Sequence, residues 1–154
     1  MTGRCIARTI TLLCTAIPLA CSDSLAPGDV LGTYALHNVA GDALPTVLYT
    51  TEYTRIRVFA DTLRFTPDGR GSINTLRESK PVKGDGPTEP FRWQTGFAYK
   101  LIDDRIEVTF DCPPNANCVR GPHLVLRGIA AGLRGDVALG ARVPLFYKLV
   151  DRGR

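Results

Sequence analysis

FRWQTGFAYKL, residues 91–101, decides the fold class. Phe91, Trp93, Thr95, Phe97, Tyr99 and Leu101 fall on one side of an extended chain, and Arg92, Gln94 and Lys100 on the other. A period of two marks a half-buried strand, because successive side chains of a strand point to opposite faces. Asp103-Asp104 follows as a tight turn, and RIEVTF then turns Ile106, Val108 and Phe110 inward, which predicts a hairpin. The turn also accounts for the two adjacent carboxylates, which on a strand would face opposite ways.

The same period continues upstream. TLRFTPDGRGSINTL, residues 62–76, predicts a second hairpin with Pro67-Asp68-Gly69 at its tip. Proline presets the first turn position, aspartate tolerates the second, and glycine takes the left-handed conformation. Just before it the apolar parity changes from Ile56/Val58 to Leu63/Phe65 across Ala60-Asp61-Thr62. A bulge or break there would put both pairs on one face. GTYALHNV (32–39), TVLYTTEY (46–53), LVLRGI (124–129) and ARVPLFYKLV (141–150) supply further strands. Pro144 argues that the last one starts beyond it or lies at an edge. IAAGLRGDVALGA has alanines, but its glycines break any helical period. SKPVKGDGPTEP, residues 79–90, reads as a loop with three prolines. Seven to nine short strands and no helix indicate an all-β barrel or sandwich.

The N-terminus has a different character. MTGRCIAR carries Arg4 and Arg8 and no acid, and TITLLCTAIPL (9–19) is uncharged and mostly apolar. A membrane-spanning helix needs about 20 such residues, so this run fits a secretory signal segment instead. Leu19-Ala20-Cys21 resembles the lipobox of bacterial lipoproteins, whose cysteine is lipidated and becomes the mature N-terminus. That resemblance implies cleavage before Cys21 and a diacylglyceryl anchor on it. Residues 1–20 are then signal peptide, 21–29 a flexible tether, and 30–152 the folded domain. With Ser22 after the cysteine, the analogy implies the outer membrane of a bacterial cell envelope.

The expected mature chain carries 17 Lys+Arg against 15 Asp+Glu, since Arg4 and Arg8 leave with the signal. Both signs are interspersed, and nothing resembles a nucleic-acid footprint. Of the five cysteines, Cys5 and Cys14 lie in the signal and Cys21 is the lipid site. Cys112 and Cys118 bracket PPNAN, and in an oxidising compartment a pair this close is expected to form a disulfide. A metal site would need more ligands than His37 and His123 can add.

GTYALHNVAGDALP (32–45), with Gly-x-Tyr-x-Leu followed by Val, Gly and Leu-Pro, resembles small bacterial lipoproteins with a lipocalin-like domain. The Pro-Asp-Gly hairpin and the closing Phe146-Tyr147-Lys148 strand fit the same layout. The resemblance implies a single small antiparallel up-and-down barrel of about eight short strands. Such a barrel either fills itself with side chains or holds one small apolar or amphiphilic ligand. Tyr34, Phe65, Trp93, Phe97, Tyr99 and Tyr147 are the candidates for ligand-lining or core positions. No nucleophile motif, metal motif or phosphate-binding glycine loop is present, so no enzyme and no cofactor is expected. Two functions follow as expectations. One is a lipid-anchored envelope protein binding a small ligand. The other is a solid-cored structural or protein-interaction module using its outer face or the 79–90 loop.

Overall fold

The computed structural model describes residues 25–84, 86–112, 123–138 and 142–152. Its strands are β1 (Gly32–Val39), β2 (Asp42–Ala43), β3 (Thr46–Thr50), β4 (Thr54–Phe65), β5 (Arg70–Pro81), β6 (Glu89–Ile102), β7 (Arg105–Phe110), β8 (His123–Ile129), β9 (Gly132–Ala138) and β10 (Arg142–Asp151). From β4 to β10 each strand pairs antiparallel with the next. β10 then pairs with β1, and β1 with β4. The result is a closed eight-stranded antiparallel barrel. Closure removes the free sheet edges that would otherwise invite aggregation.

The closing seam is shared. β1 pairs with the second half of β4 (Gly32↔Phe65 to Ala35↔Thr62), then departs. The short β2 and β3, joined through the cis Leu44–Pro45 bond, bring the chain back, and β3 pairs with the first half of β4 (Thr46↔Val58 to Thr50↔Arg55). Between these two pairings, β4 bulges. The register with β5 slips between Val58 and Ala60, so Ile56 and Val58 are buried before the slip, and Asp61, Leu63 and Phe65 after it. This is the parity change read in the sequence, resolved as a bulge within one continuous strand.

The Pro67–Gly69 tip forms as its residues dictate. Gly69 has φ +74°. The Thr66 hydroxyl reaches Asp68 Oδ1 at 2.6 Å, and the Arg70 amide donates to the same oxygen at 3.2 Å. At the β6–β7 turn Asp103 takes φ +56°, a conformation aspartate tolerates better than most residues.

Two expectations are corrected and one strand is added. Pro144 lies within β10, opposite Asp136 of β9, not before it or on an edge. Its carbonyl accepts from the Ala40 amide at 2.8 Å, just past the last β1–β10 pair at Val39↔Leu145. Groups of one residue point the same way in an antiparallel ladder, so the missing Pro144 N–H faces the side where β1 has already ended. IAAGLRGDVALGA contains β9, so it is not helical over its described residues, as its glycines imply, but it holds a strand that the sequence reading did not name. Gly135 is buried there, and a Cβ on it would sit 2.5 Å from the Leu126 side chain. The 79–90 loop is shorter than expected: Ser79–Pro81 still belongs to β5, and Glu89 and Pro90 to β6, with Ser79↔Glu89 as the last pair.

Leu25–Asp29, expected within the tether, is also folded onto the body. Pro27–Val30 forms one helical turn, held by the Asp29 carboxylate on the Ala26 amide (3.0 Å). Leu25 packs over Gly128, and Val30 is fully buried. Residues 1–24, with the signal segment and Cys21, lie outside the described residues.

Candidate functional site

The inner wall of the barrel is built in cross-strand rows. One row is Phe65, Gly71, Phe97 and Phe110. The next is Leu63, Ile73 and Thr95, followed by Asp61, Thr75 and Trp93. The last is Val58, Arg77 and Phe91. Along β6 exposure rises from Phe97, fully buried, through half-buried Trp93 to Phe91, 38 % exposed, whereas on β4 Val58 of the last row is as buried as Leu63. The β6 side of the inner wall is therefore the more accessible toward the 82–88 hairpin, the end we call the mouth. The opposite end, at the Pro67–Gly69 tip, is the ring-filled one we call closed.

Rings fill the closed end. Tyr34, Phe97 and Tyr99 all meet Phe65 edge-on, with centroids 5.8, 5.3 and 5.1 Å away, and Phe110 meets both Phe97 (6.0 Å) and Trp93 (5.7 Å). Edge-on contact sets the positive rim of one ring against the negative face of another. The two tyrosine hydroxyls leave the apolar cluster to find acceptors. Tyr34 donates to the Asp29 carbonyl (3.2 Å) and Tyr99 to the Thr66 carbonyl (2.8 Å). Burial pushes both phenols above their ordinary range. Gly71 is part of this packing, since a Cβ there would collide with the Phe97 ring and the Arg64 carbonyl.

Toward the mouth the wall turns polar. The β4 bulge delivers Asp61 to the inner face, where it is 4 % exposed. Arg77 lies one row further out and reaches Asp61 Oδ2 at 3.6 Å. Its Nε donates to Thr75 Oγ1 (3.1 Å), and that hydroxyl donates to the Ala60 carbonyl (3.2 Å), so Thr75 ties the guanidinium to the bulge. The Tyr147 hydroxyl from β10 faces the same carboxyl. Asp61 Oδ1 is buried and has no hydrogen-bond partner among the described residues.

This arrangement has an electrostatic signature. Burial pushes the Asp61 carboxyl up to about 7, while the Arg77 guanidinium and the Tyr147 hydroxyl pull in the opposite direction. Burial first, and then the neighbouring carboxylate, raise the Tyr147 phenol well above its ordinary range. A buried acceptor left unmatched costs about 1–3 kcal/mol, so it marks either a bound group or a reserve of instability.

The aromatic candidates fall into two groups. Tyr34, Phe65, Phe97 and Tyr147 are buried in the core cluster, and Trp93 and Tyr99 are half-buried against it. A hollow of about 430 Å³ lies elsewhere. It sits beside the start of β10 and is lined by Asn38, Ile129, Arg134, Pro144 and Phe146, and by none of the six aromatic candidates. His37 is exposed near it, with its ring 5.9 Å from that of Phe146. Cys112 follows the β7 end and is exposed, whereas Cys118 and Cys21 lie outside the described residues. No group of three metal-ligating side chains occurs among the described residues. Among them, too, no helix is long and apolar enough to cross a membrane.

Sequence reasoning missed Asp61 and Arg77. The signal for Asp61 was present, because it shares its parity with Leu63 and Phe65. Arg77 shares its parity with Ile73 and Thr75 in the same way. Comparison with known proteins found no matching family model, no matching characterised protein and no matching solved structure.

Proposed function

We propose that this chain is a non-enzymatic, lipid-anchored protein of the bacterial cell envelope, a lipocalin-like barrel that takes a small amphiphilic ligand through its mouth. One observation carries the ligand reading. A buried carboxylate with an unmatched oxygen lies on the inner wall beside a partly buried arginine and in one row with a partly buried tryptophan. Small-molecule sites are typically apolar walls with a few convergent polar groups, and the Asp61–Trp93 and Arg77–Phe91 rows have that composition. Because the aromatic end is filled, this reading puts the ligand in the other half of the barrel. Amphiphilic therefore replaces purely apolar as the preferred ligand class. No cofactor and no nucleic acid enters this reading.

The anchor rests on Leu19-Ala20-Cys21, and the outer membrane is its proposed destination. One acyl chain holds a protein only marginally, so the two chains of a diacylglyceryl group suit stable anchoring. Mass spectrometry of small molecules extracted from the membrane-purified protein tests the ligand. A stoichiometric amphiphile is the expected result, and a clean extract from repeated preparations overturns it. Cys21→Ala is expected to shift the protein out of the membrane fraction or leave an uncleaved precursor. Unchanged fractionation and mobility overturn the anchor.

A second reading, an interaction module with a solid interior, has an observation of its own. Tyr53 is 74 % and Val82 40 % exposed at the open end of the β4–β5 ribbon, opposite its Pro67–Gly69 tip, where the Val82 amide donates to the Tyr53 carbonyl. Neighbouring exposed apolar side chains at a ribbon end suit contact with a partner protein. Tyr53→Ser abolishing co-purification of an envelope protein would favour this reading over the first.

A further inference from the structure

The end of the barrel away from the mouth leaves large aliphatic side chains in water. Ile102 (37 % exposed) ends β6, Ile129 (44 %) ends β8, and Val150 (66 %) lies one residue from the end of β10. All three are out of phase with Leu101, Leu126 and Tyr147, which pack in the core, so they point outward. β6, β8 and β10 are alternate strands of an antiparallel sheet and finish at the same end. Alternate strands lie about 10 Å apart, so the three side chains form an arc along one rim. The chain enters the barrel at that rim. β1 begins there, with Gly32 opposite Phe65 and Thr33 opposite Asp151. Just upstream, Leu25 packs over Gly128, the residue before Ile129.

Building on the lipid-anchor reading, we propose that the closed end is the membrane-facing surface of the barrel. Ile102, Ile129 and Val150 rest in the head-group layer of the bilayer, and the mouth opens away from it. Two observations select this occupant. The first is reach. Four residue steps separate Cys21 from Leu25, and an extended chain covers at most about 3.6 Å per residue, so Leu25 stays within about 14 Å of the proposed anchor. The second is chemistry, because aliphatic side chains on a rim gain by leaving water for the membrane interface. Charge does not choose the lipid. Arg105 and Arg127 share the rim with Asp103 and Asp104, and Arg127 Nε lies 3.8 Å from Asp104 Oδ2. A zwitterionic surface therefore suffices. β4 runs from Thr54 near the mouth to Phe65 at the closed end, about 36 Å along the tilted strand, so Tyr53 stands on the far side of the barrel. An amphiphile then reaches the mouth from the aqueous side, not from the bilayer that holds the anchor.

The chain has a single tryptophan, Trp93, so one ring can be moved to either end of the full chain. In a Trp93→Phe background, Ile129→Trp reports on the closed end and Tyr53→Trp on the mouth. Each variant is purified from membranes and reconstituted in phosphatidylcholine vesicles carrying a nitroxide on the lipid head group, which quenches only nearby rings. Intact mass and flotation with the vesicles report on the anchor separately. Ile129→Trp is expected to lose most of its emission and Tyr53→Trp none. The reverse pattern, or equal quenching at both positions, overturns the orientation and leaves the anchor standing. Absence of quenching at both positions in lipidated, floating protein does the same. An unlipidated mass without flotation overturns the anchor and the orientation together. Should Ile129→Trp fail to fold, Val150→Trp reads the same rim.

Discussion

The two ends of the barrel interior use one backbone scaffold for opposite purposes. At the closed end the inward positions of β4, β5 and β6 are Phe65, Gly71 and Phe97. Ring edges meet ring faces there, and each of the two cluster tyrosines sends its hydroxyl to a backbone carbonyl. Two rows toward the mouth the same three strands present Asp61, Thr75 and Trp93, with a carboxylate oxygen unmatched. The first arrangement maximises buried apolar area and leaves no polar group in debt. The second sacrifices stability to keep a polar group on the inner wall. The β4 bulge lies just past the second row, between Val58 and Ala60. The two ends thus differ in how completely their buried polar groups are matched.

The sharpest way to break that comparison is to empty the closed end. Phe97→Ala removes a fully buried ring that touches Phe65 and Phe110, and should cost about 3–5 kcal/mol in urea unfolding. Trp93→Ala, at a half-buried ring near the mouth, should cost less than half as much. Equal losses at the two positions would mean that the mouth is packed as tightly as the closed end.

Asp61 gives the next largest effect, and its sign distinguishes a strained site from a structural ion pair. Its carboxyl titrates near its ordinary 3.8 in the unfolded chain and near 7 in the barrel. Between those values the folded protein holds a proton that the unfolded chain has released. The stability contributed by this group is thus present below the unfolded value and lost as pH rises through about 7, a change on the order of a few kcal/mol. Asp61→Asn should flatten the fall in stability between about pH 4 and about pH 8 and be the more stable protein at the upper limit. Parallel pH curves for parent and variant would show instead that Arg77 compensates the charge in full.

Much of the fold could be read from the chain because apolar alternation is unbroken where it matters. GTYALHNV and RIEVTF coincide with β1 and β7, and the parity change at Ala60-Asp61-Thr62 coincides with the β4 bulge. What could not be read has physical causes. Gly135 serves β9 as a small inner-wall residue under Leu126, and a glycine chosen for packing looks the same in sequence as a glycine chosen to break structure. Pro144 is tolerated because β1 ends beside it, which is a fact about a strand more than one hundred residues away in sequence. Asp61 was hidden by its type: parity places it inside, but polarity suggests outside, and only the closed barrel decides between them. Leu25–Asp29 looked like tether because its anchoring contacts, Leu25 on Gly128 and the Tyr34 hydroxyl on the Asp29 carbonyl, leave no mark on the local pattern.

A smaller effect is expected at the β7–β8 connection, on the mouth side of β7. If Cys112 and Cys118 are joined, as the compartment implies, the ring they close is short. Reduction should then lower stability by about 2 kcal/mol, and the denatured, unreduced protein should show no free thiol at either position. A full thiol titre before reduction would remove the pair. The loss should be similar to that of the double Cys→Ser variant, which separates the crosslink from any side effect of the reductant.

The smallest effect tests whether ion-pair length or burial governs the contrast. Outside the wall, Arg70 Nη2 lies 2.6 Å from Asp111 Oδ2, with the two side chains 50 % and 39 % exposed. Inside it, Arg77 and Asp61 are 3.6 Å apart at 21 % and 4 %. The outer pair is the shorter, yet water screens it, so Arg70→Gln should cost at most about 1 kcal/mol. Arg70 and Asp111 stand on either side of β6 and meet over Gly96, where a Cβ would collide with the Asp111 carboxylate. Gly96→Ala should therefore break the same bridge from below, and the Arg70→Gln/Gly96→Ala double variant should lose less than the two single losses added together. Additive losses would mean that the glycine is needed for the backbone of β6 and not for the bridge. Arg77→Gln, by contrast, leaves a buried carboxylate without its cation, and should exceed both outer changes despite the longer distance of its pair.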